Sequence, residues 1–99
     1  MTERERVLHI LAAHREELRA MGVERLSLFG SVARDEAGED SDVDILVEFA
    51  PGARIGMFQF LDVRDALASL IGAPVDLATA ASLHPRLREA ILRETILAA

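Results

Sequence analysis

The sequence predicts a mixed α/β fold, a small β-sheet with helices packed mainly on one face. Three observations carry that expectation. Apolar residues recur near helical period from Thr2 to about Ala20, from Met57 to Ile71 and from Pro85 onward. A period-two alternation runs from Asp42 to Phe49. Two more short apolar runs, Leu26 to Phe29 and Val75 to Leu77, are bounded by glycine or proline. At 99 residues the chain is expected to form one domain spanning 1–99, and its 51% hydrophobic content is enough for a core. A charged fraction of 28% argues against disorder.

Taken in order, Thr2 and Glu5 have capping-box spacing, and Val7, Leu8, Leu11 and Leu18 line one side of a first helix. Gly22 is a suitable stop. Leu26-Ser27-Leu28-Phe29 reads as a strand that enters a tight turn at Gly30-Ser31. Arg34 to Ser41 is polar, contains Gly38 and reads as loop, with at most one helical turn at its start. In Asp42 to Phe49, Val43, Ile45, Val47 and Phe49 point one way; Asp42, Asp44, Leu46 and Glu48 point the other. That is a strand with one face on the core, and Pro51-Gly52 ends it. Met57 to Ile71 reads as a core-facing helix carrying Met57, Phe58, Phe60, Leu61, Leu67, Leu70 and Ile71, stopped by Gly72 and Pro74. Val75-Asp76-Leu77 is a third short strand. Pro85 opens a last helix, with Leu87, Ile91 and Leu92 expected to pack inward.

Composition removes several chemistries. Without cysteine there is no disulfide, thiolate nucleophile or cysteine zinc site. All eleven basic residues are arginine, so a Walker A lysine and a Schiff-base lysine are excluded. The net charge of -6 opposes direct duplex nucleic-acid binding, which depends on cations neutralising phosphates. No apolar run approaches the roughly 18 residues of a membrane span, and Met1 to Ala20 is laced with Arg and Glu. A cytoplasmic location, with no membrane partner, is therefore expected. An acidic chain can still handle anions by recruiting metal ions to them.

The chemistry gathers at Gly30, Ser31, Asp42, Asp44 and Asp76. Asp42 and Asp44 stand two apart on a strand, so both carboxylates leave one face about 6 to 7 Å apart. Asp76 repeats the pattern between Val75 and Leu77; if the two strands are neighbours, three carboxylates share one patch. Such a cluster survives by protonation or by binding cations. Oxygen donors alone favour a hard ion, Mg²⁺ first and Mn²⁺ as its substitute. Mg²⁺ completes its shell with water and phosphates, so the implied ligand is a nucleoside triphosphate. Two ions about 3.5 to 4 Å apart could serve an in-line displacement. Gly30-Ser31 would bind phosphate through backbone N–H groups and the Ser31 hydroxyl.

Plainer accounts exist for each residue. Asp42 and Asp44 could be a solvated pair at a strand start, but Gly30-Ser31 upstream and Asp76 downstream weigh against it. Arg34 could contact phosphate or bridge to Glu36 or Asp35. His9 and His14, five apart, share no helix face. His84 suits a helix entry, Glu48 an exposed strand end, and Phe58 and Phe60 core or interface. Arg86, Arg88 and Arg93 suit a solvated helix face.

Gly30-Ser31, ten residues, then Asp42-Val43-Asp44 resembles the motif of the DNA polymerase β-type nucleotidyltransferase superfamily. The wider runs Leu28-Phe29-Gly30-Ser31-Val32-Ala33-Arg34 and Ser41-Asp42-Val43-Asp44-Ile45-Leu46-Val47 resemble its minimal nucleotidyltransferase (MNT) branch, over about residues 5 to 97. The resemblance implies a polymerase β palm-like fold. It implies that Asp42, Asp44 and Asp76 are the catalytic and metal-binding acids, with Asp76 helping to deprotonate the acceptor hydroxyl. Gly30 and Ser31 would hold the triphosphate of ATP, with Arg34, from its own charge, as the further cofactor-binding candidate. Members of this branch are often antitoxins that silence a HEPN-domain ribonuclease toxin by transferring AMP to a tyrosine. This chain has no tyrosine, so a tyrosine acceptor would lie on another molecule. Asp35 stands where the family commonly has glycine. Two rival expectations are a non-catalytic antitoxin that inhibits by binding and an enzyme that modifies a small molecule; a homodimer is compatible with either.

Overall fold

The computed structural model describes residues 1–38 and 41–99; Glu39 and Asp40, in the expected polar loop, lie outside the described residues. The first helix starts as its cap dictates: Thr2 Oγ1 accepts the Glu5 N–H at 3.1 Å, and Glu3 and Glu5 place negative charge in the first turn of α1 (Glu3–Ala13). The expected single helix to Ala20 is instead two. At His14 the backbone (φ -110, ψ 20) leaves helical geometry, its N–H shared between the Ile10 and Leu11 carbonyls at 3.2 and 3.3 Å, and α2 (Arg15–Ala20) follows. The bend carries α1 onto the later long helix and α2 onto the first strand while Val7, Leu11 and Leu18 all stay buried.

Strand β1 (Val23–Phe29) begins three residues before the expected Leu26. Gly22, at φ +93, turns the chain, and its carbonyl accepts the Ala50 N–H at 2.9 Å, which extends the pairing back to Val23. One helical turn, α3 (Gly30–Ala33), follows directly. The central strand β2 (Val43–Phe49) pairs antiparallel with β1 and parallel with β3 (Val75–Ala78). Between them α4 (Met57–Ile71) has the expected bounds and ends at Gly72, whose left-handed φ of +77 lets its N–H reach the Ala68 carbonyl. A 3₁₀ turn (Ala80–Ser82) and α5 (Pro85–Glu94) lead to β4 (Ile96–Leu97), giving a mixed sheet in the order β3-β2-β1-β4. β4 was not expected; two residues are too short for a periodic signal, and its partner β1 lies about 70 positions back in the chain.

The core forms where the expected inward face of β2 (Val43, Ile45, Val47) meets Leu26 and Leu28 of β1, Val63, Leu67 and Ile71 of α4, and Val7 and Leu11 of α1. Burying each such side chain stabilises the fold by roughly 1.5–3 kcal/mol. Three packing expectations are corrected. Leu46, on the face assigned to polar residues, is buried; it stands opposite Ser27 and Ala78, and the 3₁₀ turn packs against β2. Met57 and Phe58 are 70% and 84% exposed, because the buried stripe of α4 runs through Val63, Leu67 and Ile71 and its first turn extends past that contact. Helix α5 has no buried residue, and Leu87 and Leu92 are exposed; it touches the body chiefly through α3 and β1, so only part of its apolar side is covered.

Candidate active site

The parallel register pairs Asp44 directly with Asp76, and the antiparallel register pairs Asp44 with Phe29 on its other side. Residues in register on adjacent strands present their side chains to one face. The two acids therefore lie side by side, next to the point where β1 ends and Gly30 begins. The expected gathering of Asp44, Asp76 and the Gly30-Ser31 bend at one end of the sheet is thus present. Asp42 sits one residue ahead of β2 rather than on it, and is exposed, as is Asp76; Asp44 is half-buried.

Gly30 and Asp44 form one steric unit. Gly30 has φ +71, and a Cβ built there would stand 2.0 Å from Asp44 Oδ2 and 2.9 Å from its Cγ. The Asp44 carboxylate thus occupies the space that any other residue at 30 would claim. Glycine is needed here both for its backbone conformation and for this close approach.

The electrostatics fit a cation site. Burial raises the Asp44 pKa above the ordinary carboxylate value; the neighbouring charges of Asp76 and Asp42 push it the same way, with a further push from Glu94, and Arg34 opposes them. A hard cation would relieve both the burial and the repulsion. Among the described residues no three His, Cys, Asp or Glu side chains converge into a ready-made metal cage. Mg²⁺ does not require one, since it commonly uses one or two carboxylates and fills its shell with water and phosphate oxygens. The donor set therefore fits Mg²⁺.

On the other side of Gly30 lies a residue that sequence reasoning missed. The Gly30 N–H donates to Glu94 Oε1 at 3.1 Å, and Arg34 Nη1 contacts both Glu94 oxygens at 3.3 Å. Arg34 also donates from Nε to Glu36 Oε2 at 3.0 Å, so the salt-bridge expectation holds with Glu36. Nothing in the local spacing marks Glu94, which is 60 residues beyond Arg34 and belongs to a helix that reads as ordinary amphipathic sequence. Asp35 is exposed at φ +60, a left-handed backbone position that glycine adopts without strain.

Two of the residues set aside, His84 and Glu48, behave as expected. His84 Nδ1 accepts the Arg86 N–H at 3.2 Å and caps α5; Glu48 is exposed and pairs with Arg25 at 3.4 Å. Arg88 differs, for its Nε is buried and makes no hydrogen bond among the described residues. An apolar cleft of about 360 Å³, lined by Phe49, Ile55, Met57 and Phe60 among others, contains none of the site residues. The acids stand instead at the open end of the sheet.

The chain is similar in sequence and fold to known proteins. The nucleotidyltransferase domain family matches residues 11–98. The protein adenylyltransferase MntA of Thermococcus cleftensis is 41% identical over 93 residues, covering 93% of this chain and 92% of that protein. A solved minimal nucleotidyltransferase is 43% identical with a TM-score of 0.70, covering 90% of this chain and 93% of that one. A chain from the complex of a tri-AMPylated Shewanella oneidensis HEPN toxin with its MNT antitoxin shares the fold, at 19% identity and a TM-score of 0.63, over 93% of this chain and 71% of its own.

Proposed function

Because the chain belongs to the nucleotidyltransferase domain family, we propose that it transfers AMP from ATP to a tyrosine hydroxyl of a HEPN-domain toxin, as the antitoxin of a toxin–antitoxin pair. The observation that carries this is the in-register Asp44–Asp76 pair beside Gly30, with the Asp44 carboxylate seated where a Cβ would be. A protein that only binds its partner has no use for clustered acids that repel one another. The adenylyl chemistry agrees with the name of the Thermococcus cleftensis relative. The choice of partner agrees with the HEPN complex whose chain shares this fold. Since the chain has no tyrosine of its own, the acceptor is on the partner.

The acceptor oxygen forms a bond to the α-phosphorus of ATP as the bond from that phosphorus to the bridging oxygen breaks, and pyrophosphate leaves. The hydroxyl proton passes to a carboxylate, and Asp76, the exposed member of the strand pair, is the base. Asp42, Asp44 and Asp76 would hold Mg²⁺, which needs only one or two carboxylates per ion beside water and phosphate oxygens. When bound, Mg²⁺ neutralises the triphosphate and makes the acceptor hydroxyl easier to deprotonate. Gly30 and Ser31 hold phosphate oxygens, and Arg34 adds positive charge on the same side.

Incubating the protein with its toxin partner, Mg²⁺ and α-labelled ATP tests this. Label should appear on the partner and vanish with Asp44→Ala. With Asp76→Ala it should fall by roughly 100-fold or more, the scale of losing a general base. Full inhibition of the partner without label, unchanged in both variants, would instead establish the binding-only antitoxin.

A further inference from the structure

Glu94 holds the groups that the transferase assignment gives to the triphosphate. Its carboxylate accepts the Gly30 N–H at 3.1 Å and both oxygens engage Arg34 at 3.3 Å, with its side chain only 29% exposed. It is thus an anion lodged against one backbone donor and one guanidinium at the acid site. The same carboxylate adds to the negative field on Asp44. An incoming triphosphate would seek the same donors and meet this charge at close range.

We propose that Glu94 is a built-in occupant of the phosphate subsite, and that nucleotide binding displaces its carboxylate from Gly30 and Arg34. This rests on the transferase reading and names a regulatory element within it. The backbone at 94 is held on both sides, by α5 before it and by β4, which pairs Ile96 and Leu97 with Leu28 and Ser27, after it. Displacement is therefore a side-chain rotation, with α5 and β4 left in place. The Arg34–Glu36 contact, already formed at 3.0 Å, keeps the guanidinium nearby when Glu94 leaves.

Glu94→Gln tests the idea, because its amide oxygen can still accept the Gly30 N–H while the charge is gone. Titrating Mg²⁺-ATP into the two proteins by calorimetry should show the variant binding roughly threefold to tenfold more tightly, the effect of removing one like charge about 6 Å from a phosphate at a solvent-facing site. Inorganic tripolyphosphate with Mg²⁺ should show the same gain; a gain for ATP alone would overturn the proposal, since it would not act through the phosphates. Glu94→Asp, which keeps the charge but draws it back by one methylene, should fall between the two. Should Glu94→Gln fail to melt cooperatively, Glu94→Asp alone carries the comparison, and affinity no higher than the parent overturns the proposal. Equal or weaker ATP binding by a folded Glu94→Gln would show that Glu94 positions its donors and does not compete for them, with the transferase assignment intact. A folded parent and variant that both ignore ATP would sink the transferase assignment itself, and this proposal with it.

Discussion

Replacing Gly30 with alanine tests the link between the bend and the acid pair. Two costs add. At φ +71 an L-residue is strained by roughly 1–2 kcal/mol. The new methyl would also lie 2.0 Å from Asp44 Oδ2, well inside contact, so the Asp44 side chain must rotate away or the bend must shift. Overpacking of this kind costs about 1–3 kcal/mol, for a total near 2–5 kcal/mol. Gly72 supplies the calibration: it has φ +77 with no atom within 4 Å of an added Cβ, so Gly72→Ala reports backbone strain without the clash. Urea denaturation of both variants should show Gly30→Ala losing clearly more than Gly72→Ala. In an Asp44→Ala background that excess should shrink, since only the 3.2 Å contact with the Cβ at 44 remains. Mg²⁺-ATP affinity should fall in Gly30→Ala and be unaffected in Gly72→Ala. Equal destabilisation by the two alanines, with nucleotide affinity retained, would refute the steric coupling of residues 30 and 44.

Three further outcomes follow from the same structure. Because the folded-state pKa of Asp44 lies above its unfolded value, the folded protein binds more protons between the two, and stability declines as pH rises through that window. In metal-free protein, thermal melts should show Asp44→Asn above the parent at pH 7 and level with it below about pH 4, near the unfolded carboxylate pKa; a parent that is the more stable at pH 7 would contradict the repulsion. Leu67→Ala removes a side chain that is fully buried beneath the sheet and should cost about 2–5 kcal/mol in denaturant unfolding. Asp35→Gly relieves a left-handed residue in solvent and should change the melting temperature upward, by a gain under about 1 kcal/mol, since glycine's flexibility offsets part of the relief.

Local sequence determined a good deal here. The two short motifs at 30–31 and 42–44 are legible through their resemblance to a known family, while the bounds of α4, the strand character of residues 43–49 and the helix entry at Pro85 follow from periodicity and turn chemistry within a few residues. These signals are legible because side-chain direction repeats every 2 or 3.6 residues and because glycine and proline restrict the backbone where they stand. Tertiary structure alone decided what those pieces meet. Asp44 faces Asp76 because β3 returns parallel to β2 in one particular register, a choice made over more than thirty residues. Phe58 lies in solvent and Leu46 in the interior because burial depends on what covers a face, which periodicity does not specify. Glu94 reaches Gly30 across 64 positions only because α5 packs against α3 and β1 and β4 pairs with β1. A contact of that range depends on the path of the whole chain, and no local pattern records it.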